Sequence, residues 1–400
     1  MSSASEYTDP RGTLTPPTES RPASETAADR TDKTVDSLMA TWRVKGLPLA
    51  MPGRMAGWIL ALLGMLCVTL ILSAALLIGA RKACFDFPLR APTEEGDGGI
   101  ANNDGDRPFA DGATGSALIP WADHVPVIPP NSISAEHAAL ADLATGEIIA
   151  SRLADEPIYP ASMTKVMTLI VVVENLPSED SLKQEITISQ AAYNEMKAEG
   201  ASGIGLEPGE KLTVESLLYA LMLRSDGIAA CELARYVAGS VEDFVDLMNQ
   251  KADKMGLTNT RFRNPTGLHH PDHVSTTREI ASIMAYAMSM KLCRKVLLTQ
   301  LYIAPCEGAD GKNFQYKLYH NLMVTQFEEL KKQNPNQATQ PTTVKIAAGK
   351  TGFTDESRYC LVTYAETSDG HGYVCVTAKG DSYTDCIRDY LTIYNTYATP

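Results

Sequence analysis

Two side chains in the segment YPASMTKVMTLIVVVENL, which begins at Tyr159, could do chemistry together: the hydroxyl of Ser162 and the amine of Lys165. The Val, Met, Leu and Ile run after Lys165 reads as an apolar helix, and residues three apart on a helix share a face. Ser162 and Lys165 then meet at the first turn, where N–H groups are unpaired and the dipole is positive. A lysine there works against stability, because cations belong near helix C-termini. A serine hydroxyl is too weakly acidic to attack an acyl carbon unaided and needs a base within hydrogen-bond reach. Lys165 serves if it is neutral, and burial, the helix terminus and a second cation all lower an amine's pKa. Taken alone, Ser162 reads equally well as a plain N-cap.

Two further short motifs follow in order. Ser225 lies in MLRSDGIAA, between two predicted helices, and Lys350-Thr351-Gly352 lies on a predicted strand in AAGKTGFTDESRYCL. An S-x-x-K occurs about once by chance in a chain of this length, and a K-T-G in roughly one chain in ten. Neither is informative alone. The ordered set S-x-x-K, S-x-x, K-T-G is a signature of serine enzymes that process penicillins and D-alanyl peptides.

The elements that must position these groups start near residue 131. HAALADLATGEIIASRLAD reads as a hairpin, and GLEPGEKLTVESLLYALMLRSDGIAACELARYVA as a turn, a helix capped by Thr213 and a helix after Ser225. Two amphipathic helices follow, SVEDFVDLMNQKADKMGL and STTREIASIMAYAMS. KIAAGKTGFT, RYCLVTYAE and GYVCVTAKG then read as strands, and SYTDCIRDYLTIYNTY as a closing helix. Strands at both ends and helices between predict an α/β (α+β) domain over 131–400: an antiparallel sheet built from the two chain ends, with a helical cluster against it.

Upstream, residues 1–54 are rich in Ser, Thr, Pro and Ala and read as a disordered tail. Residues 55–81 contain AGWILALLGMLCVTLILSAALLIGA, uncharged and long enough to cross a bilayer as a single uncleaved helix. The apolar core is too long for a signal-peptide h-region. Arg43, Lys45 and Arg54 on one side nearly balance Arg81, Lys82 and Arg90 on the other, so charge leaves the orientation open. Residues 82–130 are rich in Gly, Asp and Pro and read as a flexible acidic linker. The net charge of −13 over 400 residues argues against a nucleic-acid partner.

The chain from about Ser132 onward resembles the serine-type D-alanyl-D-alanine carboxypeptidases, the low-molecular-mass penicillin-binding proteins. ASMTK, GKTGFTDESRYCLV, SGIGLEPGEKLTVESLLYALML and NPTGLHHPDHVSTTREIA carry the resemblance. It implies a β-lactamase/transpeptidase-like fold and a peptidoglycan stem pentapeptide as substrate. It also implies β-lactams as covalent inhibitors, and no cofactor. It implies that Ser162, Lys165 and Ser225 are catalytic, Ser225 passing the proton to the leaving amine. Lys350 and Thr351 would hold the terminal carboxylate, and Gly352 would let the substrate strand approach the sheet edge. Backbone N–H groups of Ser162 and Phe353 would form the oxyanion hole. The family's second motif usually ends in Asn, where this chain reads Ser225-Asp226-Gly227. A lost substrate hydrogen bond costs about 1–3 kcal/mol, or ten- to hundredfold in rate. A weakened or differently selective enzyme is expected rather than a dead one.

Other residues invite weaker readings. His269, His270 and His273 in HHPDH read as loop packing, with His273 bonding a backbone, because Pro271 interrupts any helix that could present them to a metal. Cys360 and Cys375 fall on neighbouring predicted strands and read as packed thiols, with a cross-strand disulfide as the alternative; Cys293 and Cys306 are the next candidate pair. Lys379 is either a second carboxylate contact or a solvated strand end. Residues 326–345 are longer and more polar than a β connection needs, and read as a cleft-edge flap or a disordered insertion. The sequence as a whole reads as a membrane-anchored, extracytoplasmic serine D,D-carboxypeptidase. Its rivals are a β-lactamase, for which no deacylating glutamate segment is found, and a non-catalytic relative, which Gly227 favours.

Overall fold

The computed structural model describes residues 117–336 and 338–398. Apolar runs from the two ends of this stretch pair with one another. Strands β1 (His137–Asp142) and β2 (Glu147–Arg152) form the expected hairpin, and β7 (Lys345–Thr354), β8 (Arg358–Glu366) and β9 (Gly372–Gly380) come from the far end. They make an antiparallel sheet in the order β2-β1-β9-β8-β7, with Leu140 opposite Cys375 where first and last strands meet. Alternation along β1 sends Leu140 to one core, and Ala139 and Ala141 to the other.

Each face of the sheet buries a helical layer. The C-terminal helix, Tyr383–Tyr397, packs Ile387, Tyr390 and Tyr394 against Leu140, Leu361 and Cys375. On the other face lie α1 (Lys165–Glu174), α2 (Gln190–Ala198), α3 (Val214–Leu223), α4 (Gly227–Ala238), α5 (Val241–Lys254), α6 (Thr277–Ser289) and α7 (Lys291–Leu298). Apolar from Val166 to Val173 but for Thr168, α1 is buried throughout that run, as such a helix must be. Thr213 caps α3 by accepting from Ser216 N–H, and Asp226 caps α4 by accepting from Ala229 N–H.

Four expectations need correction or completion. The linker expected to reach residue 130 gives way earlier: Ile119 and Ile128 are buried, and bridges join Trp121 to Ile148 and Val127 to Ser151. Those apolar side chains have the edge of β2 to pack on, so this stretch belongs to the domain. A second sheet, absent from the sequence reading, runs β3 (Glu185–Thr187), β4 (Lys211–Thr213), β5 (Leu301–Glu307) and β6 (Asn313–Tyr319) in chain order. The stretch read as a flap or insertion contains helix α8 (Phe327–Gln333), which buries Phe327 and Leu330 in the same core as the C-terminal helix, α9 (Tyr383–Tyr397). All six described cysteines, including Cys293, Cys306, Cys360 and Cys375, are buried free thiols. The tail over 1–54 and the membrane span over 55–81 lie outside the described residues.

Candidate active site

Ser162 does not cap a helix. It sits in a 3-10 turn, Ala161–Thr164, entered through Pro160, and α1 begins at Lys165. Ala161 holds φ at +46°, a left-handed value that costs a non-glycine residue on the order of 1–3 kcal/mol. The turn is pressed from two sides. Gly267, at φ +80°, passes so close that a Cβ there would lie 1.9 Å from the Ala161 carbonyl oxygen. Gly352 on β7 lies against the same turn, its absent Cβ 3.1 Å from Ser162 N and from Ala161 Cβ. The glycine of K-T-G thus admits the Ser162 turn itself to the edge of the sheet.

Lys165 Nζ lies 3.2 Å from Ser162 Oγ and donates to the Thr266 carbonyl at 2.5 Å. That carbonyl is held by a turn in which Asn264 Oδ1 accepts from Thr266 N–H, Thr266 Oγ1–H and Gly267 N–H. Thr168, one turn along α1, donates to the Pro265 carbonyl at 2.7 Å. The lysine is 3 % exposed. Burial pulls its pKa down to about 8, against the opposing pull of the Asp226 carboxylate and Cys231.

Lys350 comes from β7 and is 2 % exposed. Its Nζ donates to Ser225 Oγ at 3.0 Å and to the Thr351 carbonyl at 2.7 Å. Burial and the charge of Lys165 push its pKa well below that of an ordinary lysine. Two buried amines that repel one another titrate as a pair, the first proton leaving well below the usual lysine range. Ser225 stands between α3 and α4 with φ at +59°, a second strained non-glycine residue at the same cleft. Beside it the fully buried Asp226 accepts from Ala229 N–H and Ile204 N–H, and burial raises its carboxyl pKa.

Ser162 and Ser225, with Thr351, Gly352 and Phe353, are among the residues lining a cleft of about 610 Å³, a volume that suits a small ligand or peptide end. Phe353 is exposed and packs against the Tyr359 ring at 4.6 Å between centroids. Gly200, Ser202 and Gly203 form another wall, tied down where Gly227 N–H donates to the Ser202 carbonyl at 2.9 Å. Sequence reasoning missed several wall residues: Arg224, Asn321 and Tyr383. Arg224 precedes Ser225 directly and could have been flagged; the other two reach the cleft only through tertiary packing.

The remaining candidates lie elsewhere. His273 is buried and neutral, its pKa lowered to about 3 chiefly by burial. Its Nδ1 accepts from Arg263 N–H at 3.3 Å and its Nε2 bonds Thr164 Oγ1 at 2.8 Å, pinning the Ser162 turn from behind. His269 faces Glu356 at 3.6 Å, and His270 accepts from Asp272 N–H. Lys379 points to Glu136 at 3.7 Å.

Fold and site together define a class: a sheet with helical layers on both faces, and a serine one turn from a buried lysine at the sheet edge. That class is the penicillin-processing serine peptidases. Residues 124–379 match the model of peptidase S11, D-alanyl-D-alanine carboxypeptidase, and the chain belongs to that family. It is 32 % identical over 232 residues to the D-alanyl-D-alanine carboxypeptidase DacF of Bacillus subtilis, covering 58 % of this chain and 54 % of that protein. It is 32 % identical over 241 residues to DacC of Escherichia coli, a D-alanyl-D-alanine carboxypeptidase, covering 60 % and 55 %. The chain thus spans about half the length of these curated relatives. The crystal structure of the Streptomyces K15 DD-transpeptidase superposes with a TM-score of 0.58 at 27 % identity, covering 67 % of this chain and 98 % of that one.

Proposed function

We propose that this chain is a membrane-anchored serine D-alanyl-D-alanine carboxypeptidase that trims peptidoglycan stem peptides through an acyl-enzyme. The observation that carries the reading is Lys165 Nζ at 3.2 Å from Ser162 Oγ, buried, with its pKa lowered to about 8. Ser162 Oγ attacks the carbonyl of the penultimate D-alanine while neutral Lys165 takes its proton. The carbonyl oxygen becomes an oxyanion and is held by the N–H groups of Ser162 and Phe353. The C–N bond then breaks. The leaving D-alanine amine takes the proton that Lys165 gained, relayed through Ser225, which Lys350 holds at 3.0 Å, so Lys165 is neutral again. Lys165 then takes a proton from water as its oxygen attacks the ester, and returns that proton to Ser162 Oγ as the C–O bond breaks.

The two lysines divide the work through the ligand. A terminal carboxylate docked at Thr351 favours charge on Lys350, its neighbour on β7. Lys350 charged in turn disfavours charge on Lys165, which is then the amine of the pair left neutral. β7 is the edge strand of its sheet, so an extended peptide can lie along it as an added strand. On this reading the catalytic domain works outside the cytoplasm, where peptidoglycan lies, and residues 55–81 serve as the anchor.

A fluorescent penicillin tests the reading. Slow-turnover labelling that disappears in Ser162→Ala, together with D-alanine release from diacetyl-Lys-D-Ala-D-Ala, supports it. Rapid penicillin hydrolysis indicates a β-lactamase instead. Absence of labelling indicates a non-catalytic peptide-binding relative, the reading that Gly227 favours. Recovery of the full chain in the soluble fraction after lysis would sink the anchor.

A further inference from the structure

Thr351 Oγ1 has two lone pairs and one proton to place. Asn321 Nδ2 donates to it at 3.1 Å. The Tyr383 hydroxyl also hydrogen-bonds the Thr351 side chain. Both residues line the cleft. With Asn321 donating into one lone pair, the Thr351 proton is turned away from Asn321, and the cleft that Thr351 lines is open to it. A ligand carboxylate docked there can accept it.

Asn321 is held in place by a dedicated device. It opens a π-helical turn, Asn321–Gln326, a geometry that is rare and concentrated at functional positions. His320 fastens this turn to β7. Its Nδ1 accepts from Met323 N–H at 3.3 Å, and its ring also hydrogen-bonds the backbone of Gly349. The ring is buried and neutral, which leaves one nitrogen to accept and the other to donate. Leu322 lies directly on Gly349, where a Cβ would come within 2.6 Å of Leu322 Cδ2. The turn is therefore clamped to the residue just before Lys350, and Asn321 cannot drift from Thr351.

We propose that Asn321 is a positioning residue for a terminal carboxylate: its amide fills an acceptor site on Thr351 Oγ1, so that the threonine hydroxyl donates to the carboxylate of the bound peptide. This rests on the carboxypeptidase reading and adds a residue to it. Aspartate at 321 reverses the arrangement. Its carboxylate only accepts, so it takes the Thr351 proton and sets a negative charge beside the ligand's own.

The test uses the full chain and two acyl-D-alanyl thioesters, one with a thioglycolate leaving group bearing a free carboxylate, the other its methyl ester. Wild type should prefer the carboxylate donor. Asn321→Ala should lower kcat/KM for that donor about tenfold and Asn321→Asp about a hundredfold. Turnover of the methyl ester should stay within about twofold, so that the preference collapses while Tm holds. Equal losses on both donors, an undiminished preference in Asn321→Asp, or a wild type without preference would each overturn the role of Asn321 alone. A wild type inert towards both donors would overturn the carboxypeptidase reading and this role with it.

Discussion

Restoring the family's usual asparagine by Gly227→Asn should harm this protein rather than help it. The family motif argues the opposite: a regained substrate hydrogen bond would be worth about 1–3 kcal/mol, ten- to hundredfold in rate. The structure shows what fills the space instead. A Cβ at 227 would lie 2.9 Å from Met196 Sδ and 2.9 Å from Ala201 Cβ. Apolar atoms pack at about 3.5–4.0 Å, so both contacts are short by roughly 0.6 Å or more, before the carboxamide is added. Overpacking of this kind costs about 1–3 kcal/mol, against a gain of about 0.5–1 kcal/mol from replacing a helical glycine. The balance runs from about zero to a loss of about 2.5 kcal/mol, a fall in Tm of up to roughly 10 °C. The displaced segment carries the Ser202 carbonyl that anchors Gly227 N–H, and with it one wall of the cleft. Acylation by a fluorescent penicillin should therefore slow by about tenfold. Met196→Ala added to Gly227→Asn should recover part of both losses. A single Gly227→Asn variant that acylates faster than wild type at unchanged Tm would refute the steric argument.

Three further outcomes follow from the site. With Lys165 as the proposed base and burial lowering its pKa to about 8, acylation rates should rise with pH through about 8 and level off above it; Lys165→Arg, always charged, should be inactive at every pH. Gly267→Ala should abolish acylation and lower folding yield, since its Cβ would fall 1.9 Å from the Ala161 carbonyl oxygen at a positive φ; circular dichroism and penicillin labelling read both effects. His273 is buried neutral with its pKa lowered to about 3 from 6.5. The unfolded chain therefore binds more protons between those values, and stability falls as pH falls from 6.5 towards 3. The loss is about 2 kcal/mol by pH 5, and His273→Gln should flatten that limb in urea titrations.

How much of this could be read beforehand differs from element to element. The helices from Val214 to Ser289 announce themselves through apolar periodicity and caps such as Thr213, because both signals are local. β5 and β6 did not. Pro305 interrupts the strand pattern of β5, and the pair exposes Leu301, Ile303, Phe314 and Tyr319, so neither strand shows a clean buried face. Asn321 was overlooked because its turn packs on Gly349 through His320 and Leu322, a contact with no periodicity to betray it. The Thr266 carbonyl could not be nominated at all, since a backbone oxygen leaves no residue-type signature.

The amino-acid sequence by itself determined which groups exist: a serine and an amine one turn apart, a second serine, and a second amine on a strand. These follow from residue type and short spacing, which the helix and strand periods convert directly into shared faces. Only the tertiary structure decided that Lys350 reaches Ser225 across 125 residues of chain. It alone removed both amines from water, because burial is supplied by segments remote in sequence. The lowered pKa that the proposed role of Lys165 requires belongs to that desolvation and to no residue taken singly. The same holds for Gly227: its meaning lay in Met196 and Ala201, which fill the space where a side chain would otherwise stand.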